Sequence, residues 1–352
     1  MGNRIAIAHC ANDLVSSTRG ASSGTTEPLA SDPLTSPAPG STSTEGAASQ
    51  QPTSIEGRPP PPPGLERNPG PFDELHKQCK ECFPVCFDGA KIVINKGLSN
   101  HFQITHTLNM SPVNNGYRFG ATYVGSKQLC PSETYPVLLG EIDAAGNVSA
   151  TAIHHLTDRI RCKFMTQIQQ NKIPACQLTT EYRAPLQTTS LTVANLDLVN
   201  DSGILVASAL RRITDRVDCG LELMHQYGRQ IPGHSISIIS YAGRYLGDNF
   251  IAAASLSKAS LHASYYHKQQ ENLQIGVEWE TNLRIGESLA TFGYQIELPK
   301  ANVTFRGSID SQWTVGGTME KKLLPLPFTF AISGMINHTK AQSRFGIGLI
   351  VG

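Results

Sequence analysis

The chain has 352 residues, of which 39% are hydrophobic and 16% charged, and its 29 basic and 28 acidic residues leave a formal charge of +1. This balance provides no long-range field that would gather nucleic acid, so we expect no nucleic-acid partner. No apolar run approaches the roughly 20 residues with which a helix crosses a bilayer, which excludes a helical membrane protein.

The first 70 residues differ in composition from the rest of the chain. They contain no Phe, Trp or Tyr and hold half of all the prolines, including the run from Pro59 to Pro63. Such a segment buries too little apolar area to offset the loss of conformational entropy on folding. The composition therefore predicts a disordered, Pro/Ser/Gly-rich segment over residues 1–70 and a folded domain over residues 71–352.

A short helical pattern opens the folded domain. Its apolar residues recur at spacings of three and four, as on one face of a helix, namely Phe72, Leu75, Cys79 and Cys82. Pro71 suits a first helical turn, and Pro84 ends the pattern. The spacing predicts one amphipathic helix over 71–83, which is too short to be stable alone and must rest on another part of the protein.

After Asp88 the apolar residues alternate with polar ones, as in strands with one apolar and one polar face. Val277 and Trp279, for example, alternate with Glu278 and Glu280. The alternation predicts nineteen strands, at 90–97, 101–110, 116–125, 135–143, 147–156, 159–169, 175–184, 187–196, 202–212, 215–226, 233–247, 249–257, 259–268, 271–281, 285–297, 300–310, 312–321, 327–339 and 342–351.

The predicted strands are mostly about ten residues long, and short connections join them into one antiparallel meander, as in barrels that cross a bilayer. A sandwich would have shorter strands, and a propeller would show an internal repeat. No helices remain to cover the apolar face, so it must meet lipid while the polar face lines a water-filled lumen. The fold class predicted is therefore all-β, a transmembrane β-barrel. Its outward face carries the aromatic residues Tyr117, Phe119, Tyr123, Trp279, Phe328 and Phe330.

No pattern of catalytic residues is present, so we expect no enzyme and no cofactor. The adjacent His154 and His155 fall on opposite faces of a predicted strand. The spacing of Cys79, Cys82 and Cys86 offers three thiols without an evident fourth ligand, which favours reduced thiols and no metal.

Several stretches resemble one family closely. They are PFDELHKQCKECFP from Pro71, NKGLSNHFQITHTL from Asn95, YYHKQQENLQIGVEWE from Tyr265, and the stretch from Phe292 to Pro327. Over residues 68–352 the chain resembles the channel-forming β-barrel subunits of the translocase of the outer mitochondrial membrane, within the eukaryotic porin superfamily. The resemblance implies about nineteen strands, parallel pairing of the first and last strand, and an N-terminal helix in or near the pore.

The resemblance also implies a location and partners. The chain is expected in the mitochondrial outer membrane, as an oligomer in the lipid bilayer with tail-anchored receptor and small subunits. The last strand looks like the signal that mitochondrial barrels present to the barrel-insertion machinery, a polar residue, a glycine and two alternating hydrophobics, namely Arg344, Gly346, Leu349 and Val351.

Alternation places a set of acidic residues on the lumen face, namely Glu181, Glu222, Glu278, Glu280, Glu297 and Asp310. Presequences of mitochondrial precursor proteins are basic amphipathic helices, which such carboxylates would attract. We expect Glu278, Glu280 and Glu297, on nearby strands, to contribute to an acidic stripe. The alternative is that these are ordinary solvated residues, balanced by the lumen cations Lys91, Arg118, Lys163, Arg183 and Arg306.

The predicted function is a protein-conducting channel that imports unfolded precursor proteins. Two alternatives stay open at this point. One is a metabolite or anion porin of the voltage-dependent anion channel type, which would favour a basic lumen. The other is a tissue-restricted paralogue that assembles into the translocase without importing efficiently.

Overall fold

The computed structural model describes residues 67–112, 115–130, 133–170, 172–197, 201–229 and 233–352. Most of the predicted disordered segment therefore lies outside the described residues. A 3-10 turn, Phe72–Glu74, precedes the short helix α1, Lys77–Glu81. In the described part of the chain, neither of these is long and apolar enough to cross a membrane.

The strands follow in chain order. They are β1 Gly89–Ser99, β2 Phe102–Met110, β3 Gly116–Cys130, β4 Glu133–Asp143, β5 Val148–Thr157, β6 Ile160–Gln169, β7 Lys172–Ala184, β8 Gln187–Asp197, β9 Ser202–Thr214, β10 Val217–Tyr227, β11 Ser235–Leu246, β12 Phe250–Ser257, β13 Ser260–Gln270, β14 Leu273–Asn282, β15 Glu287–Leu298, β16 Val303–Asp310, β17 Thr314–Leu323, β18 Phe328–Asn337 and β19 Gln342–Val351.

These strands form one closed sheet. Each pairs antiparallel with its neighbour in the chain, and β1 also pairs in parallel with β19, from Gly89 opposite Gly346 to Ile94 opposite Val351. An odd number of up-and-down strands makes this closing pair parallel, because the first and last strand run in the same direction. The predicted nineteen-stranded barrel with parallel closure is confirmed. Closure leaves no edge whose backbone groups would be unsatisfied in lipid.

The two faces of the wall differ as the alternation predicts. On β14, Val277 and Trp279 are 36% and 45% exposed on the outer surface, whereas Glu278 and Glu280 contact Lys80 inside the barrel. Tyr117 and Tyr123, also predicted to face outward, are exposed as well. At these positions the outer surface is therefore apolar and the inner surface polar.

Strand β4 presents a leucine to each face in succession. Leu138 and Leu139 are 45% and 40% exposed. Cross-strand partners share a face, and the pairing from β4 through β5 and β6 to β7 puts Leu139 on the face that carries Arg161 and Glu181. Because that face is the inner one, Leu139 lines the lumen and Leu138 faces the membrane.

The segment before β1 runs along the inner wall. It begins beside the turn between β7 and β8, where Asn68 Nδ2 donates a hydrogen bond to Ala184 O at 2.6 Å. It ends beside β18 and β19, where the Phe87 N–H donates to Ser333 Oγ at 2.9 Å. Residues 67–88, called the inner segment from here on, thus follow the wall from β7 to the closing strands.

The inner segment is less helical than the predicted single helix over 71–83. His76, with φ −103° and ψ 4°, separates the 3-10 turn from α1. The predicted apolar face is nevertheless confirmed, since Phe72, Leu75, Cys79 and Cys82 are all buried. Phe72 contacts Gly220 of β10, whereas Cys79 and Cys82 contact Gly276 of β14, so the chain follows the curved wall instead of one straight helix axis.

The apolar part of this contact lies near the start of the inner segment. Phe72 and Leu75 pack against Leu210 of β9, Ala242 of β11 and Ala253 of β12. Full burial of one such large side chain contributes roughly 1.5–3 kcal/mol. The inner segment is therefore held to the wall by apolar packing as well as by polar contacts.

Candidate functional site

Inward-facing glycines make a shallow groove for the inner segment. A Cβ added at Gly276 of β14 would lie 3.0 Å from Cys79 Sγ and 3.1 Å from the Cys79 carbonyl oxygen. The same relation recurs along the wall at Gly220 with Phe72, Gly293 with Phe83, Gly316 with Cys86 and Gly346 with Phe87. A side chain at Gly293 or Gly346 would overlap the inner segment, and one at Gly276, Gly316 or Gly220 would come into tight contact with it.

A buried ion network anchors the start of the inner segment. Asp218 of β10 is completely buried and accepts hydrogen bonds from Arg212 Nε at 2.8 Å and from Arg244 Nε at 3.0 Å. Arg244 Nη2 also donates to the Pro69 carbonyl oxygen at 2.6 Å. Asp218 therefore positions the guanidinium of Arg244, which in turn binds the inner segment at Pro69.

The helix α1 contributes a cation to an acidic cluster on the wall. Lys80 Nζ lies 3.1 Å from Glu278 Oε1 and 3.8 Å from Glu280 Oε1. His262 of β13 lies opposite Glu280 in the strand register, and its Nε2 is 2.5 Å from Glu278 Oε1 and 3.5 Å from Glu280 Oε1. Lys80, His262, Glu278 and Glu280 are called the α1 cluster from here on.

His76 packs against the same cluster. Its ring centroid lies 3.8 Å from that of His262, and its Nδ1 is 2.6 Å from Ser264 Oγ. Burial, with the nearby charge of Lys80 adding to it, lowers the pKa of His76 to about 3. His76 is therefore uncharged at neutral pH, and Lys80 is the cation that the inner segment brings to the carboxylates.

The donor atoms of His262, Glu278 and Glu280 lie within 4.8 Å of one another, a set of ligands that a divalent metal accepts. The ammonium group of Lys80 already pairs with Glu278 at 3.1 Å and lies 3.8 Å from Glu280, so its single charge offsets one of the two carboxylates. The arrangement is therefore satisfied by an internal ion pair. The described cysteines, including Cys79, Cys82 and Cys86, are free thiols.

The other predicted lumen acids have separate surroundings. Glu181 is buried and contacts Arg161 Nη2 at 2.8 Å and Arg183 Nη2 at 3.5 Å. Glu222 is buried between its strand neighbours Ser208 and Ser240. Both carboxylates are therefore less accessible from the lumen than that of Glu280, whose side chain is 42% exposed.

The predicted stripe is arranged differently from the expectation. In the strand register Thr291 lies between Glu278 and Asp310, so Asp310 is level with Glu278 at a distance of two strands, about 10 Å. Glu297 is six residues farther along β15, or about 20 Å. Asp310 accepts hydrogen bonds from the N–H groups of Gln312 and Thr314. The acids that the wall brings together are Glu278 and Glu280.

The predicted insertion signal lies on the closing strand. Gly346 contacts Phe87 on the inner face and pairs with Gly89. Leu349 and Val351 pair with Ile92 and Ile94 of β1. Arg344 is exposed on the same strand. These contacts serve closure of the barrel, and the use of the four residues as a signal stays a prediction.

Sequence reasoning missed the basic half of the α1 cluster. The position of His262 could have been predicted from the sequence, because the short turn between β13 and β14 sets the register that places it opposite Glu280. Lys80 carried no comparable signal, since it lies on a different element far from β14 in the chain.

Comparison with known proteins assigns the family. The model of the eukaryotic porin family matches residues 68–346. The chain belongs to the eukaryotic porins. Within that family it is similar to proteins named mitochondrial import receptor subunit TOM40 homolog. The Caenorhabditis elegans protein is 54% identical over 288 residues, which cover 82% of this chain and 95% of that protein.

Two further similar proteins have corresponding names. A Drosophila melanogaster protein named mitochondrial import receptor subunit TOM40 homolog 2 is 50% identical over 81% of this chain and 84% of its own length. The Homo sapiens protein named mitochondrial import receptor subunit TOM40 homolog is 46% identical over 82% of this chain and 80% of its own. The chain therefore belongs to the TOM40 family of eukaryotic porins.

Proposed function

We propose that this chain is the protein-conducting channel through which unfolded precursor proteins cross the mitochondrial outer membrane. The observation that carries the proposal is the closed nineteen-stranded wall, apolar outside and polar inside, in a chain 46–54% identical to proteins named as mitochondrial import receptor subunits. Such a wall satisfies every backbone group in lipid and encloses an aqueous passage.

The chemistry of the lumen suits a cargo that must not be trapped. A conducting path needs contacts that are favourable enough for entry and weak enough for exit. Glu278 and Glu280 lie on the inner wall, and Glu280 is 42% exposed. A basic amphipathic presequence would meet these carboxylates at moderate strength, while Glu181 and Glu222 contribute only to the field from within the wall.

The proposal includes partners inside and outside the barrel. Inside the barrel the partner is a precursor with a basic presequence. Outside, tail-anchored receptor and small subunits of the translocase would pack on the apolar surface, and the barrel-insertion machinery would recognise Arg344, Gly346, Leu349 and Val351 on β19. The exposed outer side chains of the wall, such as Trp279 at 45%, fit contact with lipid or with the membrane helix of a subunit.

Replacement of the endogenous subunit tests the function. Mitochondria that carry this chain in place of their own channel subunit are expected to take up a matrix-targeted precursor at a rate close to that of the unaltered mitochondria. A metabolite porin would pass small anions across the reconstituted membrane without restoring uptake. A paralogue of the translocase that imports poorly would assemble with the other subunits and still leave the precursor outside.

A further inference from the structure

We infer that Lys80 is an internal competitor of the presequence: its ammonium group occupies the site on Glu278 and Glu280 that a basic side chain of the cargo must enter. This inference rests on the proposed import function and adds to it a residue that sets the affinity of the site. It predicts that the resting channel holds its own cation against the acidic wall and exchanges it for one from the cargo.

The contacts of Lys80 are those of a replaceable ligand. The side chain is 33% exposed, and its Nζ is 3.1 Å from Glu278 Oε1 and 3.8 Å from Glu280 Oε1. Glu278 is 13% exposed and Glu280 is 42% exposed. Glu280 is therefore the carboxylate that an incoming cation reaches first, and Lys80 must give way before the cation reaches Glu278.

Release of Lys80 does not require the inner segment to leave the wall. The segment is fixed by Phe72 and Leu75 in their apolar contact and by Pro69 through Arg244. On α1 itself, Cys79 is buried and fills the space over Gly276. The four methylenes of Lys80 allow its ammonium group to swing away while α1 stays in place.

The two other basic residues near α1, His76 and Lys77, do not take over the role of Lys80. His76 is buried beside His262, and its Nε2 has no hydrogen-bond partner among the described residues. Burial keeps the pKa of His76 far below neutrality, at about 3. Lys77, on the same helix, is exposed and forms no ion pair with Glu278 or Glu280. Competition therefore depends on Lys80 alone among these three.

The test measures how tightly a presequence peptide blocks the current of the reconstituted full-length channel. The probe is a synthetic amphipathic peptide whose basic residues are arginines. Lys80→Gln is expected to tighten the block about twofold to fivefold, the range for loss of one partly exposed ion pair. Lys77→Gln removes the same charge from the exposed side of α1 and is expected to leave the block unchanged.

A conservative variant separates charge from packing. Lys80→Arg keeps the cation and binds carboxylates in a fork geometry, so the block is expected to equal that of the unaltered channel or to be weaker. If Lys80→Arg tightens the block as Lys80→Gln does, the inference that Lys80 competes with the presequence is wrong. An equal effect of Lys80→Gln and Lys77→Gln also overturns it. Reaction of the Cys79 thiol with maleimide would show that Lys80→Gln has displaced α1. In that case Lys80→Met, which retains the aliphatic stem of the side chain, is used in its place.

Failure of the acidic site is distinguishable from failure of the inference. The double variant Glu278→Gln with Glu280→Gln is expected to weaken the block. If it does and Lys80→Gln has no effect, the acids bind the cargo and the inference alone is overturned. If the double variant leaves the block unchanged, Glu278 and Glu280 do not bind the cargo, and their proposed contact with the presequence fails together with the inference.

Discussion

Arg244 holds Pro69 by a hydrogen bond of 2.6 Å from Nη2 to the carbonyl oxygen, so a strand of the wall grips the start of the inner segment directly. The guanidinium is itself fixed by the completely buried Asp218. A buried carboxylate tolerates its charge only while cations and hydrogen bonds compensate for lost hydration. This anchor explains how a segment with one short helix keeps a defined path inside a wide barrel.

Removal of this anchor is expected to be costly. Arg244→Met leaves Asp218 with Arg212 as its remaining partner and should reduce the free energy of unfolding by about 3 kcal/mol, as for other broken buried pairs. Urea unfolding in lipid vesicles measures the change. Arg216→Met, which removes the exposed pair of Arg216 with Asp248, is the matched control and is expected to have no measurable effect. Equal effects of the two variants would show that the anchor does not operate.

The glycine groove gives a second prediction. Gly293→Ala places a methyl group where the Phe83 ring lies, so this ring, just beyond the end of α1, must move away from the wall. Burial raises the pKa of the Cys82 thiol to about 12, which suppresses its reactivity near neutral pH. Maleimide labelling of Cys82 is therefore expected to accelerate in Gly293→Ala. Gly243→Ala is the control, because an added Cβ there meets no atom within 4 Å; labelling that is equally slow in both variants would count against the groove.

The contact between His76 and the α1 cluster predicts a pH dependence. The pKa of His76 is lowered in the folded chain from its ordinary value of 6.5 to about 3, so the unfolded or released segment binds a proton first as the pH falls. The stabilisation by His76 is complete above pH 6.5 and is lost progressively from there toward pH 3. A nitroxide label on Lys77→Cys should become mobile over this range. In the His76→Leu variant the mobility of the label is expected to lose this pH dependence. The same pH profile with and without His76 would refute its role.

The placement of the acids predicts unequal effects. Glu280 belongs to the α1 cluster, whereas Glu297 lies at the opposite end of the neighbouring strand and accepts a hydrogen bond from Gln295 Nε2 at 2.7 Å. Glu280→Gln should therefore weaken the block by a presequence peptide severalfold, and Glu297→Gln should change it less, since charge pairs weaken with distance and screening. Titration of the single-channel current with peptide compares the two, and a larger effect of Glu297→Gln would contradict the assignment.

The sequence predicted the wall well because one physical rule acts at every second residue. Trp279 cannot share a face with Glu278 in a strand, and the structure places them on opposite sides of the wall. The same rule separated His154 from His155, of which the first is exposed and the second buried. The nineteen strands followed from counting such segments, and their parallel closure was implied by the resemblance to the channel-forming subunits.

The sequence did not predict the contacts between the inner segment and the wall. Hydrophobic spacing identified the buried face of Phe72, Leu75 and Cys79, yet spacing contains no information about which strand each residue meets. In the sequence, Gly276 and Gly293 look like ordinary strand glycines. In the structure, the Cys79 thiol lies beside Gly276 and the Phe83 ring lies beside Gly293. Long-range contacts of this kind depend on barrel curvature, which alternation does not encode.

The central claim, that polypeptide passes through the lumen of this barrel, is tested most directly by photocrosslinking to a precursor arrested during import. Leu138 and Leu139 are adjacent and almost equally exposed, at 45% and 40%, and they face the membrane and the lumen respectively. A photoreactive amino acid at position 139 is expected to form adducts with the arrested precursor, while the same residue at position 138 reacts with lipid or with subunits. Precursor adducts from position 138 and none from position 139 would contradict the account.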